Sequence, residues 1–229
     1  MLRPSALLLT PALVLTSALV LTACGTGETG TGSQATDAQA KTDVAPVKAP
    51  LTGLAALVVT PSGFRSPPVR SGREISGPFN TTKYVEQHST APYEDRALLL
   101  NADFTEGYYA TRISADRRTT ATTYLFRAGT PAKARTLQHG MWAEDTHGTP
   151  FRVPGVGNVQ TGTKVIVSAT SGRTVAAMDV TFTIGRTVVR INVRRHLADN
   201  ELGLLPNTRL ATTLAQQQYR RLRLPAATK

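Results

Sequence analysis

The segment TVAAMDVTFTIGRTVVRINVR, residues 174–194, decides the fold of this chain. Apolar and polar residues alternate through 174–184 and again through 187–194, with Gly185 and Arg186 between the two runs. Alternation with a period of two is typical of an antiparallel strand that buries one face. Two such runs joined by a short glycine turn predict a β-hairpin with half-buried strands.

Further strands are predicted on both sides of this hairpin. Residues 163–170 read as a strand that ends at the turn signal Ser171-Gly172, so three consecutive strands form a meander. Earlier in the chain, residues 107–114 and 119–128 read as a second hairpin. An antiparallel sheet therefore forms the centre of the predicted domain.

Two helices are well marked. Thr130 precedes Pro131 in the pattern of a helix cap followed by proline at the first helical position. The second helix is predicted over about 208–223, with Asn207 as its cap and a leucine-rich stripe on one side. Weaker helical patterns cover 51–59, 80–88 and 94–101, of which 98–100 fits a buried strand equally well.

Together these elements predict an α+β domain. An antiparallel sheet, made of a hairpin and a three-stranded meander, carries helices packed on it. Residues 51–229 have the length of a single domain.

The N-terminus has the order of parts found in a secretory signal. Arg3 supplies positive charge, residues 5–20 are almost entirely apolar, and the small residues Thr22 and Ala23 precede Cys24, the only cysteine. A membrane-spanning helix is the alternative, because an apolar run of this length just suffices to cross a bilayer. The run ends without the cluster of Lys and Arg that would stop transfer, which favours the signal peptide.

The residues LTAC at 21–24 resemble the lipobox of bacterial lipoproteins. The resemblance implies that residues 1–23 are removed and that a diacylglycerol is attached to the sulfur of Cys24. The mature chain is then anchored by lipid to the extracytoplasmic face of the cell membrane, and no thiol remains for other chemistry. Two acyl chains are enough for stable anchoring.

Residues 24–50 are predicted to be a disordered tether. Glycines alternate with Thr and Ser over 25–32, and Pro46 and Pro50 stiffen the end. Such a composition cannot bury enough apolar surface to compensate for the entropy of ordering. As a flexible coil the tether spans roughly 25–30 Å on average.

Several short segments, spread over most of the mature chain, resemble the small extracytoplasmic lipoproteins and sensor-like domains of actinobacteria. Besides the lipobox and the tether, they are PSGF at 61–64, YLF at 124–126, PAKA at 131–134, VPGVGN at 153–158, the strand pair around Gly185 and the final helix. The resemblance implies an extracytoplasmic location and a PsbP/Mog1-like α+β fold. It supplies no catalytic residue.

The chain is strongly basic, with a formal net charge of +11. Arg190, Arg194 and Arg195 lie on or beside one predicted strand, on its polar face, and are candidate ligand-binding residues. One interpretation is a solvated face whose charges prevent strand-to-strand aggregation. The other is attraction to anionic envelope material such as lipid headgroups or acidic polymers. Nucleic acid is not expected as a partner of a protein outside the cell.

No pattern of catalytic or metal-binding residues is complete in the sequence. His139, Glu144 and His147 flank a tryptophan, but their spacing does not place them on one helical face and does not match a zinc-protease motif. The other carboxylates are scattered along the chain, so no metal or cofactor is expected. The residues favour a non-enzymatic binding or sensor-like domain for an anionic envelope ligand or a protein partner. The alternative is an envelope hydrolase acting on cell wall or lipid, which requires those three side chains to converge in a pocket.

Overall fold

The computed structural model describes residues 53–68, 74–167, 172–198 and 206–224. The predicted signal peptide (1–23), Cys24 and the tether (24–50) lie outside the described residues, so these assignments stay predictions. None of the helices in the described ranges has both the length and the apolar character needed to cross a bilayer.

The described chain contains strands, helices and one short 3-10 helix at Gly53–Leu57. The strands are β1 (Phe64–Arg65), β2 (Ser76–Phe79), β3 (Glu106–Ser114), β4 (Thr119–Arg127), β5 (Gln160–Val167), β6 (Thr174–Ile184) and β7 (Thr187–His196). The helices are α1 (Thr81–Gln87), α2 (Pro92–Asn101), α3 (Pro131–Ala143) and α4 (Arg209–Arg223).

All seven strands belong to one antiparallel sheet. Its order is β1-β3-β4-β7-β6-β5, and β2 pairs with β3 on the same edge as β1. The predicted hairpin is β3–β4 and the predicted meander is β5–β6–β7, now joined through pairing of β4 with β7. The α+β class, with helices packed against an antiparallel sheet, is confirmed.

The two well-marked helices begin where their caps predict. The Thr130 hydroxyl accepts a hydrogen bond from the Lys133 amide at 3.2 Å at the start of α3. The Asn207 side chain accepts one from the Arg209 amide at 3.0 Å, although Thr208 is the residue directly before α4. These bonds satisfy amides that have no partner within the helix.

The weaker patterns have mixed outcomes. Of the segment predicted at 51–59, the described residues 53–59 contain only the short 3-10 helix, and 98–100 belongs to α2 and not to a buried strand. Strands β1 and β2 are not predicted by the sequence. The first is only two residues long, and the second contains Pro78, a residue that removes a strand's hydrogen-bond donor and so argues against the assignment.

Helices cover both faces of the sheet. One core lies between the sheet and α1, α2 and α3, and the other lies between the sheet, α4 and the 3-10 helix. The prediction of a half-buried β6 is therefore wrong, because Asp179, Thr181 and Thr183 on its polar side are also buried. The Thr181 hydroxyl accordingly donates to the carbonyl of Val189 at 3.0 Å.

Aromatic rings dominate the core under α1 and α2. Phe126 is fully buried, with ring centroids 5.2 Å from Phe79 and 5.1 Å from Tyr84 in edge-to-face contacts. The Phe79 ring also lies where a side chain on Gly107 would be, since a Cβ there would come within 2.2 Å of it. Glycine at this position lets the ring approach the backbone of β3.

Hydrogen bonds from α4 link the two ends of the described chain, and besides an exposed bond from Arg221 to the carbonyl of Ala56 they come from one buried amide. Gln218 of α4 is fully buried, and its side chain donates to the carbonyl of Leu57 at 2.8 Å and accepts from the amide of Val59 at 2.9 Å. These partners are 161 and 159 positions away in the sequence. Both cores consist of residues between 54 and 222, so a chain that starts at residue 25 contains them completely.

Candidate functional site

The three candidate arginines lie on two different faces of the sheet. Arg190 and Arg194 point toward α1, α2 and α3, whereas Arg195 points toward α4. This division follows from strand geometry, because successive side chains point to opposite faces. The prediction of one shared polar face is therefore corrected for Arg195, which belongs to a different site.

Arg190 and Arg194 line a small cavity of about 120 Å³, which we call the polar cavity. It lies between the three helices α1–α3 and the strands β4–β7. Four acidic and four basic side chains line it: Asp95, Glu144, Asp145, Asp179, His88, Lys164, Arg190 and Arg194. Two tyrosines, Tyr84 and Tyr124, complete the aromatic part of its wall.

Four carboxyl groups that are scattered in the sequence converge here. Asp95 comes from the first turn of α2, Glu144 and Asp145 follow the end of α3, and Asp179 lies in the middle of β6. They meet because α2 and α3 pack side by side over the sheet face on which Asp179 lies. Carboxylates that are scattered along the chain are therefore brought together by the fold.

Arg190 is the central cation of the polar cavity. Its guanidinium donates to the carboxylate of Asp145, and only 23% of its side chain is exposed. Burial by itself lowers the pKa of Arg190, but Tyr84 and the carboxyls of Asp145, Asp179 and Asp95 outweigh it, so the net shift is upward. The guanidinium stays charged at every physiological pH.

Hydrogen bonds fix the positions of two further charged side chains of the polar cavity, and burial fixes the protonation state of its two tyrosines. The Asn192 amide donates to the Asp179 carboxylate, and Lys164 donates to the carbonyl of Thr146 at 2.8 Å. Burial raises the pKa of Tyr124, and it raises that of Tyr84 still further. Both phenols are therefore neutral and present hydroxyl groups, not phenolates, to the cavity.

Glu144 is the group of the polar cavity that changes charge near neutral pH. Its pKa is raised from 4.5 to about 7, first by desolvation, and then by the charge of Asp95 and a hydrogen bond with it. The nearby charge of Glu94 adds to the effect, and Arg190 opposes it. A carboxylic acid that is half protonated at neutral pH can donate a hydrogen bond to its ionised neighbour.

Replacing Glu144 with glutamine is expected to flatten the dependence of thermal stability on pH. Because the folded-state pKa lies above the unfolded value, the contribution of this group is present below about pH 4.5 and is lost as pH rises through about 7. Since the side chain is largely exposed, solvent screening limits the effect to about 2 °C in the melting temperature.

Melting temperatures of the wild type and Glu144→Gln, measured by calorimetry from mildly acidic to mildly alkaline pH, test this. The two proteins should agree in acid, and the variant should be the more stable above neutrality. Parallel curves over the whole range would contradict the raised pKa.

The histidine segment does not form a catalytic site. The His147 ring stacks on Trp142 with centroids 3.3 Å apart, and its Nε2 lies 2.7 Å from the Trp142 carbonyl oxygen. His139 is exposed on α3, and of the three residues only Glu144 lines the polar cavity. The convergence that the hydrolase alternative requires is therefore not observed. Within the described part of the chain, no three His, Cys, Asp or Glu residues are grouped as metal ligands.

A second and larger cavity lies on the opposite face of the sheet. This groove has a volume of about 600 Å³ and runs between α4 and the sheet. Its apolar walls include Ala176, Met178, Val193, Leu197, Leu210 and Leu214. Two basic residues also line it, Arg195 from the end of β7 and Arg209 from the first turn of α4.

The groove has the properties of a ligand site. Small-molecule sites typically have volumes of roughly 300–1,000 Å³ and mostly apolar walls with a few polar groups. Sequence reasoning missed this groove, although the alternation in β7 and the leucine stripe of α4 predict its two walls. The space between the walls depends on how α4 rests on the sheet, for which the sequence has no signal.

Comparisons with known proteins were made on the whole chain. It matches no protein-family model and no curated protein. Among solved structures, it is similar to the extracellular domain of PknH from Mycobacterium tuberculosis, with 11% identity over 73% of this chain and 93% of that domain. The TM-score of this similarity is 0.43, and we draw no functional conclusion from it.

Proposed function

We propose that this protein is a lipid-anchored, extracytoplasmic binding protein that holds a lipid with one acyl chain and an anionic headgroup in the groove. The proposal combines the lipobox-like residues around Cys24 with the groove between α4 and the sheet. The groove is the observation that carries it, because its volume, its apolar walls and its two arginines fit one class of ligand.

The walls determine which part of the ligand is bound deepest. Met178 and Val193 from the sheet face Leu210 and Leu214 from α4, and burying acyl carbon against such surfaces yields about 25 cal/mol per Å². Met178, Val193 and Leu214 are themselves nearly fully buried, so they form a fixed floor. An acyl chain is a better partner for this floor than a sugar or a polar peptide.

The basic side chains determine the headgroup. Arg209 is exposed at the first turn of α4 and Arg195 is half-buried at the end of β7, and both border the same groove. Guanidinium groups bind phosphate and carboxylate in a bidentate manner. The two arginines therefore favour an anionic headgroup over a zwitterionic or neutral one.

Lipid binding by the chain of residues 25–229 tests the proposal. Lysophosphatidylglycerol should bind saturably with one molecule per protein, and lysophosphatidylcholine should bind more weakly. Replacing both Arg195 and Arg209 with glutamine should remove the preference for the anionic lipid. The contribution of the acyl chain to the binding affinity should remain. Equal binding of both lipids by the wild type would contradict the role of the arginines.

A pair of tryptophan variants localises the binding. Thr213 is exposed on α4 and lines the groove, so Thr213→Trp should fill it and abolish binding. Thr212 is on the same helix but does not line the groove, so Thr212→Trp should bind as the wild type does. If both variants bind equally well, the lipid adsorbs elsewhere and the proposal is wrong.

A further inference from the structure

The polar cavity contains a buried acceptor that lacks a donor. Asp95 is 4% exposed, and no donor within residues 53–68, 74–167, 172–198 and 206–224 forms a hydrogen bond with its Oδ1. A buried polar atom without a partner is costly, and more so when it carries charge. The protonated carboxyl of Glu144 can donate to Asp95, but Glu144 loses that proton near neutral pH, so a small molecule that donates a hydrogen bond would replace it at this point.

The charges around Asp95 favour a positively charged donor. Four carboxyl groups line the polar cavity together with three Lys and Arg cations and the imidazole of His88, so the carboxylates outnumber those cations only when Glu144 is also ionised. Arg190 already forms an ion pair with Asp145, and Lys164 already donates a hydrogen bond to the Thr146 carbonyl. An ammonium group beside Asp95 would donate to it in place of the Glu144 proton and would balance the charge of ionised Glu144.

The aromatic wall suits the same group. Tyr84 and Tyr124 line the polar cavity together with Asp95, and each is neutral at physiological pH. The face of a tyrosine ring attracts a cation that lies within about 6 Å of its centre. Aromatic rings are accordingly used to recognise ammonium groups of ligands.

Arg194 indicates what the other end of the ligand carries. It lines the polar cavity two residues beyond Asn192 on the same side of β7, and it is the exposed cation of the set, whereas Asp95 is buried. A ligand with its ammonium at Asp95 therefore directs its opposite end toward a guanidinium. A carboxylate is the matching group.

The volume sets the size of the ligand. A water occupies about 30 Å³ in the liquid, so the cavity of about 120 Å³ holds about four waters. A molecule of similar size has only a few carbon atoms in all.

We propose that the polar cavity binds a small zwitterion of amino-acid size, with its ammonium group at Asp95 and its carboxylate at Arg194. The site is on the opposite face of the sheet from the groove, so it is independent of the lipid proposal. Free α-amino acids have this chemistry.

Calorimetric titration of the chain of residues 25–229 tests the proposal. Glycine and both enantiomers of alanine should include a ligand that binds with one molecule per protein. Ethanolamine tests the ammonium alone and propionate tests the carboxylate alone, and each should bind more weakly than the zwitterion. If none of these probes binds at millimolar concentrations, Asp95 is hydrated only and the proposal is wrong.

Variants assign the two ends. Asp95→Asn should weaken binding of the zwitterion by about tenfold or more, since a charge-assisted hydrogen bond is lost. Arg194→Gln changes an exposed residue, so this variant should fold normally. It should bind the zwitterion more weakly than the wild type does and bind ethanolamine equally well. Glu86→Gln, an exposed acid on α1 that does not line the cavity, is the control and should bind as the wild type does.

Proton linkage provides a readout that does not depend on Asp95→Asn being folded. An ammonium in the polar cavity favours ionised Glu144, so binding near neutral pH should release protons, as measured in buffers with different ionisation enthalpies. The release should vanish in Glu144→Gln. Binding that is unchanged in Arg194→Gln and without proton release would place the ligand outside the polar cavity and overturn the proposal.

Discussion

Replacing Arg190 with methionine is expected to destabilise the fold by about 3–5 kcal/mol near neutral pH. The guanidinium is the partner of Asp145, and its charge also faces Asp95 and Asp179. Without it, several carboxylates stay close together in a poorly hydrated space. Removing one partner of a buried ion pair costs much more than the pair itself contributes to stability.

Urea unfolding at two pH values separates this effect from lost packing. At about pH 4, where carboxyl groups begin to protonate, the penalty in Arg190→Met should shrink markedly. Arg194→Met is the matched control, because it lies on the same strand and the same face but is exposed, and it should change stability by about 0.5 kcal/mol or less. An equal penalty at both pH values would show that methionine merely packs badly.

Replacing Phe126 with alanine is expected to cost about 3–5 kcal/mol, independently of pH. Its ring is fully buried and packs between Phe79 and Tyr84, with Phe104 at a centroid distance of 6.0 Å. The surrounding rings cannot close the space, because Phe79 is already pressed against the backbone at Gly107. A cavity therefore remains and adds to the lost transfer free energy.

Urea unfolding of Phe126→Ala and of Tyr93→Ala tests this prediction. Tyr93 is 86% exposed at the start of α2, so its truncation should change stability by about 0.5 kcal/mol or less. A loss of about 1 kcal/mol or less in Phe126→Ala would mean that the aromatic core relaxes around the missing ring.

The sheet is the part of the fold that the sequence predicts best. The alternation on both sides of Gly185 predicts β6 and β7 nearly to the residue, because a two-residue turn fixes the pairing register. The cap and proline at Thr130 and Pro131 likewise predict the start of α3. These signals are local, so they need no knowledge of the rest of the fold.

The polar cavity depends on contacts between distant segments. Asp179 occupies a position that the alternation assigns to solvent, and only the packing of α2 and α3 over the sheet buries it. Asp95 and Glu144 lie about fifty residues apart, and no spacing rule relates them.

The two hydrogen bonds of Gln218 have a mechanical consequence. They join the segment that enters the domain, at Leu57 and Val59, to the last helix of the described chain. Because the 3-10 helix also packs on β3, tension applied to the amino end of the domain acts on α4 and on the sheet together. The buried amide holds the first and last segments of the domain together. A truncation of α4 ahead of Gln218 would remove both hydrogen bonds, so both segments would lose this attachment.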